Sequence, residues 1–168
     1  EGRILQKRGC QINECQKDKS PTLTSTVSES FPHLRRGAIK DFKTIMIGLH
    51  LFKDTRWNKT ESVYVFETGS ILEFFSVDQA DKVRGARRNR LFINEANNIT
   101  FDTFEQLEVR TENFILMDWN PSGEFWYYTE VKGRRDDVEE ITLTYKDNEA
   151  LSDDIIKSIE QRKTRANW

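Results

Sequence analysis

The sequence predicts an α/β domain, a mostly parallel sheet flanked by helices, with an antiparallel hairpin at about residues 63–77. Two short runs, "RLFIN" at 90–94 and "NFILMDWN" at 113–120, are apolar at consecutive positions, as strands covered on both faces must be. The segment between them, "FDTFEQLEVRT" at 101–111, spaces Phe101, Phe104, Leu107 and Val109 for a helix. Strand, helix and strand in succession form the repeating unit of a parallel sheet.

The remaining elements follow in chain order. Residues 1–20 are weakly periodic, contain Gln, Lys and Cys, and end at Ser20-Pro21; no element is predicted there. "TLTSTVSES" (22–30) alternates β-branched residues and reads as a strand that turns at Pro32. "AIKDFKTIMIGLHLF" (38–52) sets Ile39, Phe42, Ile45, Met46, Leu49 and Phe52 at helical spacing. "DTRWNKTES" is a polar loop. "SVYVFET" and "SILEFFSV" flank Thr68-Gly69-Ser70, a hairpin with Gly in its turn, read as an insertion or an antiparallel edge. "DQADKVRGARRN" is a basic connection around Gly85, and "PSGEFWYYTEV" begins a turn or helix. "EEITLTYKD" predicts a strand, and "SDDIIKSIEQRKTRA" a helix with a Ser/Asp start signal.

Composition narrows the class. The 168 residues suit one domain with a core of its own, and 11 Phe, 4 Trp and 4 Tyr argue against disorder despite 32% charged residues. A net charge of -2 means that any grip on nucleic acid must come from a local basic patch. Cys10 and Cys15 would close only a very small disulfide loop, and without a CxxC pair or Cys/His cluster zinc is not indicated; a reduced intracellular chain is the expectation. No run approaches the ~18 apolar residues of a membrane span, and no signal peptide is visible. The start at Glu1 and the stop at Trp168 read as a piece of something larger.

Both buried strands end in polar groups, Asn94-Glu95 after the first and Asp118-Trp119-Asn120 after the second. Ligands of parallel sheets sit beyond these carboxyl ends. ATP hydrolysis needs a magnesium ion, a group that orients water, and a polar sensor near the γ-phosphate. A Walker-B-type strand supplies the first two with consecutive acids. Asn94 can accept from a metal-bound water but brings no charge, so Glu95 alone would be the base. The plainer alternative makes Glu95 the polar end of an ordinary strand. Asn120, before Pro121, could sense phosphate at a strand-to-turn corner or merely cap an Asx turn.

Lys82, Arg84, Arg87, Arg88 and Arg90 crowd the approach to the first buried strand, and Arg35 and Arg36 follow Pro32. They are candidates for phosphate or DNA contacts, or else a solvated basic surface paired with acids. Phe125, Trp126, Tyr127 and Tyr128 suit core or interface packing better than base stacking. His33 and His50 lack ligand spacing and are expected to be structural.

Over about residues 22–165 the sequence resembles the ATPase domain of phage terminase large subunits, the motors that pump DNA into procapsids; "RLFINEANNI" and "DWNPS" carry the resemblance most specifically. It implies a P-loop NTPase-like sheet, with Glu95 as the catalytic carboxylate of Walker B. Asn94 stands where a metal-facing aspartate usually sits, so Asn94 and Glu95 would meet magnesium through water. Asn120 matches the motif that couples hydrolysis to movement. ATP and Mg are the implied cofactors. The implied partners are double-stranded DNA, a portal protein, a small terminase subunit and further copies of the subunit, in the cytoplasm of a bacterial host and with no membrane. Arginines of such motors complete a neighbour's site or hold the DNA backbone.

Two departures qualify the resemblance. No G-x-x-x-x-G-K-[ST] occurs; "EGRILQKRGCQINECQ", with Gly2, Lys7 and Gly9, stands where the phosphate loop is expected. The nuclease domain that follows in full-length relatives lies outside the 168 residues, so the chain reads as a single, partial ATPase domain. The expectation is a packaging-ATPase domain that is inactive alone. The alternatives are a non-catalytic assembly module and, ranked last, a magnesium-dependent nuclease using Glu95, Asp118 and Asp102, which would have to converge on metals about 3.5–4 Å apart.

Overall fold

A computed structural model describes residues 2–7 (backbone only), 20–85, 87–120 and 122–163. Cys10, Cys15, Gly9 and Pro121 lie outside the described residues. Eight strands among them form one sheet in the order β3-β4-β5-β2-β6-β7-β1-β8. The strands are β1 (Gly2–Lys7), β2 (Leu23–Ser28), β3 (Trp57–Asn58), β4 (Val63–Val65), β5 (Ile71–Ser76), β6 (Arg88–Ile93), β7 (Thr111–Trp119) and β8 (Val138–Leu143). The four central strands are parallel: β2 pairs with β5 and with β6, and β6 with β7. The expected neighbours, residues 90–94 and 113–118, thus lie side by side, with Leu91 opposite Ile115 and Ile93 opposite Met117.

Five α-helices lie among the described residues: α1 (Phe31–Arg36), α2 (Ala38–Gly48), α3 (Ala80–Val83), α4 (Phe101–Glu108) and α5 (Asp153–Lys163). Alternation along the strands sorts the core. Val27, Phe75, Leu91, Ile93, Ile115, Met117 and Trp119 are buried in one cluster with Phe104 and Leu107 of α4 and with Tyr127 and Val131 of a π-helical turn. Phe74 packs on the other face with Leu34 and Ile39 from α1 and α2. α4 starts where Thr100 accepts a hydrogen bond from the Thr103 amide at 3.3 Å, satisfying one orphan donor of the first turn.

The hairpin is only half an edge. β4 pairs antiparallel with β5 and β3, as expected of an edge, but β5 itself is a parallel strand of the centre. Phe74 and Phe75 explain this, since adjacent buried rings need cover on both faces. Residues 2–7, where no element was predicted, form β1, antiparallel to both β7 and β8. Its one apolar pair, Ile4-Leu5, carries no strand periodicity; pairing between two strands that would otherwise be edges supplies the order. Two predicted apolar stripes are shorter than expected. α2 stops at Gly48 and leaves Ile45 60% and Leu49 61% exposed, and Val109 follows the end of α4 and faces solvent. Pro32, expected to turn the chain, sits in the first turn of α1, where its missing N–H costs nothing.

Gly69 closes the hairpin at φ +83°, in the left-handed region, and a Cβ there would sit 3.2 Å from the Pro21 ring. Gly69→Ala is therefore expected to lower stability by about 1–2 kcal/mol, read as a shift in the urea midpoint at unchanged slope.

Candidate active site

Because β6 and β7 are parallel and in register, their polar ends open at one edge of the sheet. The Asn94 amide continues the ladder to the Val27 carbonyl at 2.8 Å. The chain then leaves the strand abruptly: Glu95 adopts φ 57°, ψ 58° and starts the 3-10 turn Ala96–Asn98. A non-glycine residue in this region costs about 1–2 kcal/mol and persists only where its surroundings enforce it. Three contacts do so. The Glu95 N–H donates to Asp118 Oδ1 at 2.6 Å, the Asn98 amide donates to the Glu95 carbonyl at 2.9 Å, and Trp126 Nε1 donates to the Ile99 carbonyl at 2.8 Å.

The Glu95 side chain is 41% exposed, and its Oε2 meets His33 Nδ1 at 3.5 Å and Asn98 Nδ2 at 3.2 Å. Asn94 and Asp118, from adjacent strands, line one cavity of about 290 Å3 together with Thr26, Asp41 and Phe92. Ser28, fully buried at the same end of β2, has a hydroxyl without a hydrogen-bond partner. Asn120 follows Trp119 at this edge, is exposed, and its carbonyl accepts from the Ser122 amide at 2.7 Å in a tight turn.

Burial raises the Asp118 carboxyl above the usual range, the Glu95 charge adds to the effect, and the bond from the Glu95 amide opposes it. The fold therefore holds this proton more tightly than the unfolded chain does. Its contribution to stability is complete below the unfolded value near pH 4 and is lost as pH rises through the raised folded value. Asp118→Asn cannot ionise. The difference in melting temperature, variant minus parent, should be more positive at about pH 7 than at about pH 3.

Of the residues expected at the site, Asn94 and Glu95 are brought together and Asn120 lies at the same edge. Arg35, Arg36, Arg84 and Arg87 are exposed; Arg35 sits 5.3 Å over the Phe31 ring and Arg84 donates to Gln106 at 3.1 Å. Arg88 is a correction. It is only 2% exposed, lies 5.5 Å over the Phe75 ring and donates to the Lys82 carbonyl at 3.2 Å, so it is core rather than a surface for phosphate or DNA. The residue opens a buried strand, and the count of basic residues concealed that. Among the described residues no three His, Cys, Asp or Glu side chains are grouped to hold a metal, so the convergence of Glu95, Asp118 and Asp102 expected of a nuclease is not seen there. Phe125 to Tyr128 pack as expected: Trp126 stacks on Phe104 at 4.6 Å and Tyr127 lies 4.6 Å from Trp119.

Sequence reasoning missed the contact of His33 and gave Asp118 a role only in the nuclease alternative. His33, expected to be structural, reaches Glu95 from α1, and no local pattern announces so distant a contact. Asp118 had a signal: if residues 93 and 117 are neighbours in parallel strands, 94 and 118 share a face. β1 starts at the same edge of the sheet. Its antiparallel register, Arg3 opposite Trp119 and Gln6 opposite Leu116, makes Lys7 exit at the edge away from Glu95.

The family model for the phage terminase large subunit matches residues 17–167. The chain belongs to that family. Its fold is similar to the structure of the large terminase from a thermophilic bacteriophage, in complex with ADP, with a TM-score of 0.68 at 18% identity over 84% of this chain and 37% of that one. Another crystal form of the same phage's large terminase gives 0.69 at 16% identity, again over 84% and 37%. The chain thus spans little more than a third of the length of those terminases. No curated protein matches it. The mixed sheet with its parallel centre is similar to that of these large terminase structures, and no helix among the described residues is long and apolar enough to cross a membrane.

Proposed function

We propose that this terminase chain forms the base-bearing and coupling side of an ATPase that drives double-stranded DNA into procapsids. The observation that carries this is Glu95, held in a left-handed corner at the end of a buried parallel strand beside the polar end of β7. In this reading Glu95 orients the attacking water, Asn94 meets the water shell of magnesium, and Asn120 feels the γ-phosphate and passes hydrolysis to movement. Arg35, Arg36, Arg84 and Arg87 are the exposed cations available to phosphate, DNA or a neighbouring subunit. The partners of the reading are a portal protein, a small terminase subunit and further copies of the subunit, in the bacterial cytoplasm.

The residues present fit magnesium on one side only. Asn94, Glu95 and Asp118 offer the hard oxygen donors that magnesium prefers through its waters, and the unpartnered Ser28 hydroxyl lies at the same sheet end. When bound, the ion would neutralise charge on the β- and γ-phosphates. The phosphates themselves lack a cradle in this sequence: no G-x-x-x-x-G-K-[ST] is present, and β1 leads away from the site.

A titration with a fluorescent ATP analogue and magnesium tests the reading. The 168-residue chain should bind weakly, with a Kd above about 1 mM. The same residues joined to a glycine-rich phosphate loop should bind at least tenfold more tightly. Equal weakness in both would favour the non-catalytic assembly module, for which the missing loop is the supporting observation.

A further inference from the structure

We propose that Asp118 is the positioning residue for Glu95: its carboxylate clamps the Glu95 backbone amide and so sets where the Glu95 carboxylate points. The hydrogen bond from the Glu95 N–H to Asp118 Oδ1 is 2.6 Å long, short for an amide donor. It falls on the residue whose backbone is strained, at φ 57°. The hydrogen bond fixes the peptide group between residues 94 and 95, from which the chain enters the left-handed corner, and turning that peptide group over would break it. The carboxylate direction follows from the backbone, because the side chain departs from the same Cα. In the clamped state Glu95 Oε2 lies 3.5 Å from His33 Nδ1 on α1.

The clamp joins the two strand ends. Asp118, on β7, stands two residues before Asn120, so a displacement of that end reaches Glu95 through this hydrogen bond as well as through the ladder between β6 and β7. Its importance for turnover rests on the reading of Glu95 as the base; the clamp itself does not. Capping one amide of a turn is the merely structural alternative, and it predicts no change in where the Glu95 carboxylate sits.

The chain has two histidines, His33 and His50, so their ring signals make a simple NMR probe. In Asp118→Ala the His33 signals should move to where Glu95→Gln places them, while His50 stays fixed. The Glu95 amide should exchange with solvent about tenfold faster or more. Asp118→Asn keeps an acceptor oxygen and should leave both readouts close to the parent. Unmoved His33 signals or unchanged exchange in Asp118→Ala would overturn the proposal. So would an Asp118→Asn that behaves like Asp118→Ala, because the effect would then lie in charge alone. Should Asp118→Ala not fold, the folded parent decides, since a Glu95 amide that exchanges as fast as an open one excludes the clamp. None of these measurements involves nucleotide. Turnover that ignored Glu95 would remove the ATPase reading and leave the clamp standing.

Discussion

Trp119→Ala is expected to lower the free energy of unfolding by about 3–5 kcal/mol, against a total of roughly 5–15 kcal/mol for a domain of this kind. Trp119 is 2% exposed at the last position of β7. Its ring lies 4.6 Å from Tyr127 and 5.6 Å from Phe125, and its Nε1 donates to the Tyr128 hydroxyl at 3.4 Å. Truncation removes the largest side chain of the main core and leaves a void that the sheet on one side and the π-helical turn on the other cannot both close on. Trp119→Phe keeps most of the apolar volume and should cost under half as much. Urea unfolding followed by far-UV circular dichroism checks both, and a loss below about 1 kcal/mol for the alanine variant would show that the turn relaxes into the space. The consequence extends to the site, because Trp119 separates Asp118 from Asn120 and its packing fixes the direction in which each leaves the strand.

The parallel centre was legible because burial on both faces writes itself as consecutive apolar residues: Leu91-Phe92-Ile93 and Phe114-Ile115-Leu116-Met117 admit few other arrangements. The order of those strands was legible too, since a helix-spaced segment joins them. β5 was harder. Its turn chemistry at Gly69 dominates the local pattern, and the second set of hydrogen bonds, to β2, comes from residues far away in sequence. β1 was not legible at all, because its order comes from the strands on either side of it rather than from its own residues. The candidate site divides the same way. Glu95 and Asn94 follow from the end of an apolar run. His33 depends on how α1 folds back over the sheet edge, and Asp118 on a register that only pairing fixes. Arg88 shows the opposite failure: a cation in a basic run is read as solvated, yet the strand that it opens takes it into the core beside Phe75.

With ATP and magnesium, phosphate release by the 168-residue chain should lie within about twofold of Glu95→Gln, near background. In-line positioning of phosphate and water supplies most of the rate in phosphoryl transfer. Glu95 is placed to orient a water, but the sequence offers no loop amides and no loop lysine to hold the phosphate opposite it, and β1 carries Lys7 to the other edge. Asn94 withholds one charge from the metal side. Each of these losses is worth a few kcal/mol, and together they exceed what one oriented water can recover. Joining the same residues to a glycine-rich phosphate loop should restore turnover and make it depend on Glu95, so that Glu95→Gln then costs about 10²–10⁴-fold in kcat. Glutamine keeps the size and hydrogen-bonding reach of the side chain but cannot take a proton, so KM should move little while kcat falls. Turnover by the unjoined chain well above its Glu95→Gln control would mean that residues 1–20 hold phosphate by contacts other than a glycine-rich loop. A joined chain whose turnover ignores Glu95→Gln would instead remove Glu95 from the role of base and return the left-handed corner at residue 95 to a purely structural one.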